Sequence, residues 1–248
     1  MDRMLYVAMN AASTVMMGQR VSANNIANAS TYGFKSDQPF SVSRPVVGDG
    51  FGSRAYASLS DTPVTDFSNG MLEATGNDMD LAINGNGFFV VQAPDGSTAY
   101  TRRGDLHVLP TGQLVNGVGH PVMGNGGPIA IPPFQKIEFG NDGTITFQGL
   151  GDEPKANVVI DRIGLVKAQP EQMIKRPDGL FETRDGSSLP LDADVTVVSG
   201  SLERSNVNTM NELAKMIEAQ RQFEMTTNLM RQAGENAATA TTLLRTQQ

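Results

Sequence analysis

Two histidines are the side chains best suited to proton transfer or metal binding. His107 lies in a strand-like run and His120 directly precedes Pro121. Neither histidine has a second metal ligand two to four residues after it, so a multidentate site would need partners from distant parts of the chain. The pattern favours surface or strand histidines over a metal or general-base role.

Two pairs of aspartates could also do chemistry. Asp78 with Asp80, and Asp192 with Asp194, would share one face of a strand. The calcium-loop spacing and its distal glutamate are absent, so the pairs predict no EF-hand. A glycine-rich run over residues 124–128 lacks the Lys-Ser/Thr pair and the helix that a phosphate would meet, and indicates a turn.

Nucleophile motifs are missing as well. The sequence holds no G-x-S-x-G elbow and no cysteine. We therefore predict no catalytic residue, no cofactor and no metal, and interpret the chain as a non-enzyme. A β-domain enzyme stays an alternative, which a cleft placing His107 or His120 beside buried carboxylates would support.

Charge is spread unevenly along the 248 residues, whose net charge is -7. Residues 1–35 carry three basic groups and one acid, and residues 209–248 carry four of each. The middle therefore holds about -9, which argues against a nucleic-acid surface or partner. With no cysteine, disulfides and thiolate metal sites are excluded, but the compartment is not decided.

The elements that would position functional residues begin with a predicted helix over residues 1–35. Its apolar stripe advances in steps of three and four, the a/d pattern of a coiled-coil seam. The stripe consists of Leu5, Ala8, Ala12, Val15, Gln19, Ser22 and Ile26. Small and polar members make this seam thin, so the helix should be weak alone.

A second predicted helix closes the chain, within residues 205–248. Thr209 followed by Glu212 fits a capping box. One apolar residue recurs every seven positions, at Met216, Phe223, Met230, Ala237 and Leu244, and Leu213 and Ile217 broaden the stripe at its start. Gln220, Thr227, Gly234 and Thr241 are interpreted as the partner heptad positions, which makes this seam polar too. Packing of both helices on their own domain is the alternative to pairing them.

The central part of the chain is predicted to consist of short strands separated by turns. Asn84-Gly85-Asn86-Gly87 predicts a hairpin joining the runs 81–83 and 88–91. Other short apolar runs lie at residues 113–115, 137–139, 144–147, 158–160, 163–166 and 195–198. We predict a β-rich domain over residues 68–204, an irregular sandwich or barrel-like, and an extended connector over residues 36–67 that could hold a hairpin. The predicted fold class is thus a mainly β middle with long terminal helices that pair as a coiled coil.

Targeting signals are weak. Residues 4–19 lack charge but are too short to span a bilayer, and polar residues interrupt them. Asp2 and the missing apolar core argue against a cleaved signal peptide. We predict no direct membrane insertion.

The residues that close the first helix match a known family signature. Residues 24–35, NNIANASTYGFK, resemble the N-N-[LI]-A-N-x-x-T-x-G-[FY]-K segment of flagellar rod and hook proteins. Residues 75–91, with Tyr100-Thr101-Arg102 and the glycines after them, are similar to the family's middle segment, and residues 202–224 resemble its C-terminal signature. The opening residues 1–9 and the run 21–25 resemble the family's proximal rod branch, with distal rod or hook subunits as the alternative.

This resemblance implies a structural subunit of the bacterial flagellar basal body that polymerises into a hollow drive shaft across the periplasm. It implies terminal helices in an inner shell, a β domain outside, and export by the flagellar type III apparatus without a cleaved signal. The implied partners are further copies of the chain, other proximal and distal rod subunits, the rod cap and the export apparatus, with no small-molecule substrate. The expected assembly residues are Leu5, Ala8, Ala12, Val15, Asn25, Ile26, Asn28, Thr31, Gly33, Phe34, Leu213, Met216, Ile217, Phe223, Met230 and Leu244. A non-flagellar binding module, dimerised by its terminal helices, is the remaining alternative.

Overall fold

The computed structural model describes residues 2–45, 56–149 and 158–245. The chain forms two compact units. Unit 1 consists of Met1–Ala29, Ser36–Asp66 and Val207–Gln248. Unit 2 consists of Ser30–Lys35 and Phe67–Asn206. A β-rich middle between two long helices confirms the coarse fold prediction.

Unit 1 contains the two helices and one hairpin. Helix α1 spans Asp2–Ala27 and helix α2 spans Thr209–Arg245. Strands β1 (Asp37–Pro45) and β2 (Tyr56–Thr65) pair antiparallel, with a bulge between Gln38 and Phe40. Helix α1 contacts α2 and both strands. The predicted connector over residues 36–67 is thus a hairpin in its described part, and residues 46–55 lie outside the described residues.

Helix α1 is shorter than predicted. It ends at Ala27 rather than at Lys35. The backbone N–H of Asn28 is shared between the carbonyls of Asn24 and Asn25, and the Asn28 side chain also donates to Asn24 O, so the last turn is closed locally. Turns follow over residues 28–33, and Gly33 has φ 68°. Gly33 and Lys35 therefore lie beyond the end of the helix, with the glycine in the turn that follows it.

Unit 2 is built from short antiparallel strands. Its strands are β3 (Leu72–Ala74), β4 (Leu81–Asn84), β5 (Phe88–Gln92), β6 (Thr98–Thr101), β7 (Leu106–Val108), β8 (Leu114–Asn116), β9 (Phe134–Phe139), β10 (Thr144–Gly149), β11 (Val158–Arg162), β12 (Leu165–Val166), β13 (Met173–Lys175), β14 (Phe181–Thr183), β15 (Thr196–Ser199) and β16 (Ser201–Glu203). The largest sheet has the order β12-β5-β6-β14-β13, a second has β11-β10-β9, and three ribbons pair β15 with β4, β16 with β3 and β7 with β8. In the described part of unit 2 these are open sheets rather than a closed barrel.

The predicted hairpin at Asn84-Gly85-Asn86-Gly87 is wrong. Strand β4 pairs with β15, and β5 pairs with β6 and β12, so the turn carries the chain from one sheet to another. The physical reason lies in the turn's carbonyls, because Gly85 O and Gly87 O both accept hydrogen bonds from Arg102 Nη1. Gly87 also has no room for a side chain, since a Cβ would lie 2.6 Å from Val195 Cγ1.

Strand β5 separates two apolar clusters. Phe89 and Val91 point into the larger cluster, and Phe88 and Val90 point into the smaller one, which Tyr100 and Phe181 share. A continuous Phe-Phe-Val-Val run is what a strand buried on both faces requires. The core of unit 2 is therefore deep on both sides of its central sheet.

Candidate assembly site

The apolar stripe of α1 is mostly covered within unit 1. Ala8 and Ala12 are buried, and Val15 and Ile26 are half-buried. Leu5 is exposed. Apart from Leu5, the predicted periodicity therefore identifies the covered side of the helix, although its small residues bury little area.

The covered stripe of α2 differs in part from the prediction. Met216, Phe223 and Met230 are half-buried, as the seven-residue repeat suggested, whereas Leu213 and Ile217 are exposed. The second set of covered positions is Ala219, Thr226 and Ala233, in place of the predicted Gln220, Thr227 and Gly234, which are exposed. Together with Glu212, these residues step by four and three, which is the spacing of a helix seam. The side chains of Ala237, Thr241 and Leu244 lie outside the described residues.

The start of α2 is capped by a different residue than predicted. Asn208 Oδ1 accepts a hydrogen bond from the backbone N–H of Asn211 at 3.1 Å, which makes Asn208 the N-cap. Thr209 is already inside the helix, so the predicted capping box with Glu212 does not form. An asparagine one position earlier offers the same acceptor, and the Glu212 side chain is used elsewhere.

Glu212 is a buried carboxylate at the contact between the two helices. Its Oε1 lies 2.6 Å from Lys215 Nζ, and Ser22 and Asn25 of α1 also donate hydrogen bonds to it. Burial raises the pKa of Glu212, but the hydrogen bonds from Lys215, Ser22 and Asn25 outweigh burial and hold that pKa below its ordinary value. The ionised form is therefore the one that joins α1 to α2.

Asn25 extends this contact to the hairpin. Its Nδ2 donates to Asp37 O at 2.8 Å, and its Oδ1 accepts from Asp37 N at 2.9 Å. Asp37 Oδ1 in turn accepts from the Thr65 hydroxyl at 2.8 Å. The polar cluster formed by Ser22, Asn25, Asp37, Thr65 and Glu212 thus ties α1, α2, β1 and β2 within unit 1. We refer to it as the helix lock.

Unit 2 contains a second polar cluster, which is buried and charged. Glu203 Oε1 lies 2.8 Å from Lys35 Nζ, and Glu203 Oε2 lies 2.6 Å from Arg102 Nη2. The three side chains are exposed by only 1%, 2% and 1% for Lys35, Arg102 and Glu203. One buried carboxylate therefore neutralises one of two buried cations. We refer to this cluster as the ion triad.

Three backbone carbonyls and one side-chain amide oxygen accept further hydrogen bonds from the cations of the ion triad. Arg102 donates to Gly85 O, Gly87 O and Asn69 Oδ1, while Lys35 donates to Ser68 O at 2.7 Å. Burial lowers the pKa of Arg102, and the charge and hydrogen bonds of Glu203 partly restore it. Arginine stays protonated in proteins, so the triad keeps its charge at neutral pH.

The N-terminal signature segment enters unit 2 beside this triad. Gly33 N donates to Glu203 O at 2.7 Å, and a Cβ on Gly33 would lie 2.5 Å from the backbone of Arg102 and Arg103. Phe34 lies under Lys175, whose Nζ is 3.9 Å from the ring centroid. Thr31 is half-buried and accepts from Phe34 N. Gly33 and Phe34 therefore hold the signature segment against the rest of unit 2.

The predicted site residues thus fall into separate groups. Asn25 belongs to the helix lock, whereas Gly33 contacts the backbone of two triad residues and Phe34 packs against Lys175. Sequence reasoning missed Arg102 and Glu203 as site residues, although both stood inside segments quoted for the family resemblance. The available signal was that strand-rich segments carried charged residues at positions where a strand would bury them.

The remaining candidate residues lie elsewhere in unit 2. His107 is exposed on β7, and the backbone N–H of His120 donates to Asn116 Oδ1. Across the described ranges, no three His, Asp or Glu side chains come together as metal ligands. Neither α1 nor α2, over its described residues, is long and apolar enough to cross a membrane.

Three family models match the chain. The model described as Flagella basal body rod protein matches residues 5–35, the Flagellar hook protein FlgE/F/G D1 domain matches residues 82–147, and the Flagellar basal body rod FlgEFG protein C-terminal matches residues 198–243. The first match ends at Lys35 and the third contains Glu203. Two members of the ion triad and both members of the Asn25–Glu212 contact therefore lie in matched terminal segments.

Similar proteins match over nearly the whole length. The flagellar basal-body rod protein FlgF of Salmonella typhimurium is 39% identical over 98% of this chain and 99% of its own length. FlgF of Escherichia coli is 38% identical over the same shares, and FlgF of Caulobacter vibrioides is 35% identical over 97% of each chain. The chain belongs to the family of flagellar basal-body rod proteins that includes FlgF.

Proposed function

We propose that this protein is a structural subunit of the flagellar basal-body rod, polymerising through its terminal helices into the hollow shaft that transmits torque across the periplasm. The observation that carries the proposal is similarity to FlgF proteins over 98% of the chain, which includes both helices as well as the β-rich middle. It acts as a building element rather than as an enzyme. Flagellum assembly and swimming depend on it.

Unit 1 is the assembly unit in this proposal. Its helix seam is made of small, polar or half-buried residues such as Ala12, Thr226 and Ala233. Such a seam offsets only part of the conformational entropy that two long helices lose on ordering. Contacts with neighbouring subunits supply the rest, so full order of the helices and assembly occur together. The two helices pair as a coiled coil in the assembled state.

Unit 2 is the outer, stable unit. It folds around its own apolar core, and the ion triad ties the N-terminal signature segment to the strand that leads toward α2. Because Lys35 and Glu203 lie close to the ends of unit 2 in sequence, the triad fixes the points at which the chain leaves for α1 and α2.

The assembly is helical and made of head-to-tail contacts. Such contacts generate an open tube when the rotation between subunits does not close. The partners are further copies of this chain and other rod subunits, with the rod cap and the type III export apparatus as transient partners. Export proceeds without a cleaved signal peptide, and the working location is the periplasmic part of the basal body, as a proximal rod subunit.

The test is to locate the chain in isolated basal bodies. A small tag inserted at the exposed turn Asp185-Gly186 would label unit 2 without touching either helix. In cells that lack their own copy, we expect the tagged chain to restore swimming and to give tag density at the proximal rod. Complete rods without tag density, or motile cells without the chain, would contradict the proposal. Cells carrying the untagged chain are the control.

A further inference from the structure

Lys175 of strand β13 contacts the signature segment at two points. Its Nζ lies 3.9 Å from the centroid of the Phe34 ring, and the same Nζ donates a hydrogen bond to the backbone carbonyl of Lys35 at 2.7 Å. The first contact is a cation–π interaction, and the second is a hydrogen bond strengthened by the charge of its donor. One ammonium group therefore holds the side chain of one residue and the main chain of the next.

The two contacted residues end the short stretch of the N-terminal region that belongs to unit 2. That stretch is Ser30–Lys35, and the chain belongs to unit 1 both before it and after it. The Lys35 carbonyl is thus the last backbone carbonyl of unit 2 before the chain returns to unit 1 at Ser36. A donor bound to this carbonyl holds the point at which that return begins.

The ion triad holds other groups of the same stretch. Glu203 O accepts from Gly33 N, and Glu203 Oε1 accepts from Lys35 Nζ. These contacts fix the turn at Gly33 and the tip of the Lys35 side chain. Because Lys175 contacts the Phe34 ring and the Lys35 carbonyl instead, its contribution does not repeat that of the triad.

The backbone of Lys175 is held by the core of unit 2. Strand β13 pairs antiparallel with β14, and Lys175 lies opposite Phe181 in that pairing. Phe181 is buried in the smaller apolar cluster, and Lys175 itself is half-buried. The Lys175 side chain therefore reaches the signature segment from a paired strand rather than from a loop.

Lys175 lies outside the three family matches, in the interval between residues 147 and 198. Phe34 and Lys35 lie inside the first match, which ends at residue 35. Similarity to rod proteins therefore does not single out Lys175, and only the tertiary structure brings it to the signature segment.

We propose that Lys175 is a positioning residue for assembly, which keeps the backbone at residues 34–36 in one conformation by clamping the Phe34 ring and the Lys35 carbonyl. A subunit without this clamp folds but is incorporated poorly, because only the fraction of molecules with the correct backbone is competent to bind its neighbours. The inference rests on the proposed function, since incorporation into the rod is the activity that Lys175 supports.

Hydrogen exchange of the full-length chain tests the clamp. Lys175→Met removes the charge and the donor, Lys175→Arg keeps both, and Lys136→Met on the exposed Lys136–Glu138 pair is the control. In Lys175→Met we expect exchange over residues 30–36 to be at least about fivefold faster, with no change in β5. Lys175→Arg and the control should exchange like the wild type. Unchanged exchange over residues 30–36 in Lys175→Met, or equally faster exchange in β5, would overturn the inference.

Phe34→Leu tests whether Lys175 acts through the aromatic ring. The substitution keeps an apolar side chain but removes the ring face that attracts the ammonium group. We expect the double variant with Lys175→Met to speed exchange over residues 30–36 by less than the product of the two single effects, since both remove the same contact. A double effect equal to that product would overturn the inference.

The assembly test uses cells that lack their own copy and measures the amount of the chain in isolated basal bodies. We expect Lys175→Met to reduce incorporation at least about fivefold, while Lys175→Arg and Lys136→Met incorporate like the wild type. Normal incorporation of Lys175→Met, or an equal loss in either of the other two variants, would overturn the inference. Failure of the proposed function is distinguishable, because the unsubstituted chain would then be absent from basal bodies.

Discussion

The two units of this chain differ in how much apolar core accompanies their buried polar groups. Unit 2 has a deep apolar core and also buries the ion triad, whose charged groups are held by ion pairs and by hydrogen bonds to oxygen atoms of neighbouring residues. In the described part of unit 1, apolar side chains are buried only at Ala8, Ala12 and Val21, and the helix lock supplies most of the specific contacts. In unit 1, hydrogen bonds therefore define where the helices meet although little apolar area is buried there.

Removal of the triad's carboxylate should give the largest effect. In Glu203→Gln, two buried cations lose their counter-charge, and we expect unit 2 to lose roughly 3–5 kcal/mol of stability. Urea unfolding followed by tyrosine fluorescence measures it, since Tyr100 is buried in unit 2. The control is Glu138→Gln on the exposed Lys136–Glu138 pair, where we expect no measurable change. Equal stability of Glu203→Gln and wild type would show that the triad is not a structural centre.

A methyl group at Gly33 should give the next largest effect. Gly33→Ala adds the cost of a left-handed alanine, about 1–2 kcal/mol, to a clash with the backbone of Arg102 and Arg103 that costs about 1–3 kcal/mol, for a total of roughly 2–5 kcal/mol. Gly76→Ala is matched, because its φ of 73° is similar but its surroundings are open. We expect only the left-handed cost there. Equal losses in the two variants, measured by the same urea unfolding, would rule out the close approach at Gly33.

Glycines also show what the sequence could and could not predict. The turn predicted from the glycine-rich run over residues 124–128 does form, with Gly127 at φ 133°, because positive φ is a local property. Glycine spacing could not show which strands pair across a turn. At Asn84-Gly85-Asn86-Gly87 the turn carbonyls accept hydrogen bonds from Arg102, which is distant in sequence. The predicted hairpin was wrong because no local pattern shows this contact.

The helices likewise show what the sequence could and could not predict. Periodicity located the covered stripe at Ala8, Ala12, Met216 and Phe223, because one-sided burial leaves a repeat in the sequence. It did not locate the partner positions in α2, where Ala219 and Thr226 carry too little apolar signal. Periodicity could not predict the ion triad, since Lys35, Arg102 and Glu203 meet only through tertiary packing.

The helix lock should give a moderate, pH-dependent effect. Glu212→Gln removes the charge that accepts from Ser22, Asn25 and Lys215, and we expect unit 1 to lose about 1–3 kcal/mol at pH 7. Because the folded-state pKa of Glu212 lies below its unfolded value, this stability is present above the ordinary glutamate pKa and is lost as pH falls through the folded pKa. Helix melting by circular dichroism should show the difference between wild type and variant narrowing in acid. A difference that is constant with pH would exclude the ionised carboxylate as the cause.

The cap of α2 should give the smallest effect. Asn208→Ala removes the acceptor for Asn211 N and should cost about 1 kcal/mol of helix stability. Thr209→Ala tests the alternative capping box and should change little. Helix melting of the two variants decides between them, and a larger loss for Thr209→Ala would restore the original capping prediction.

The central claim is that the terminal helices are incompletely ordered until neighbouring subunits cover them. Hydrogen exchange of the dilute full-length monomer, resolved along the chain by mass spectrometry, tests it most directly. We predict fast exchange along α1 and α2 and slow exchange in β5 and β6, which lie in the core of unit 2. Equal protection of the helices and the β-rich unit in the monomer would contradict the account.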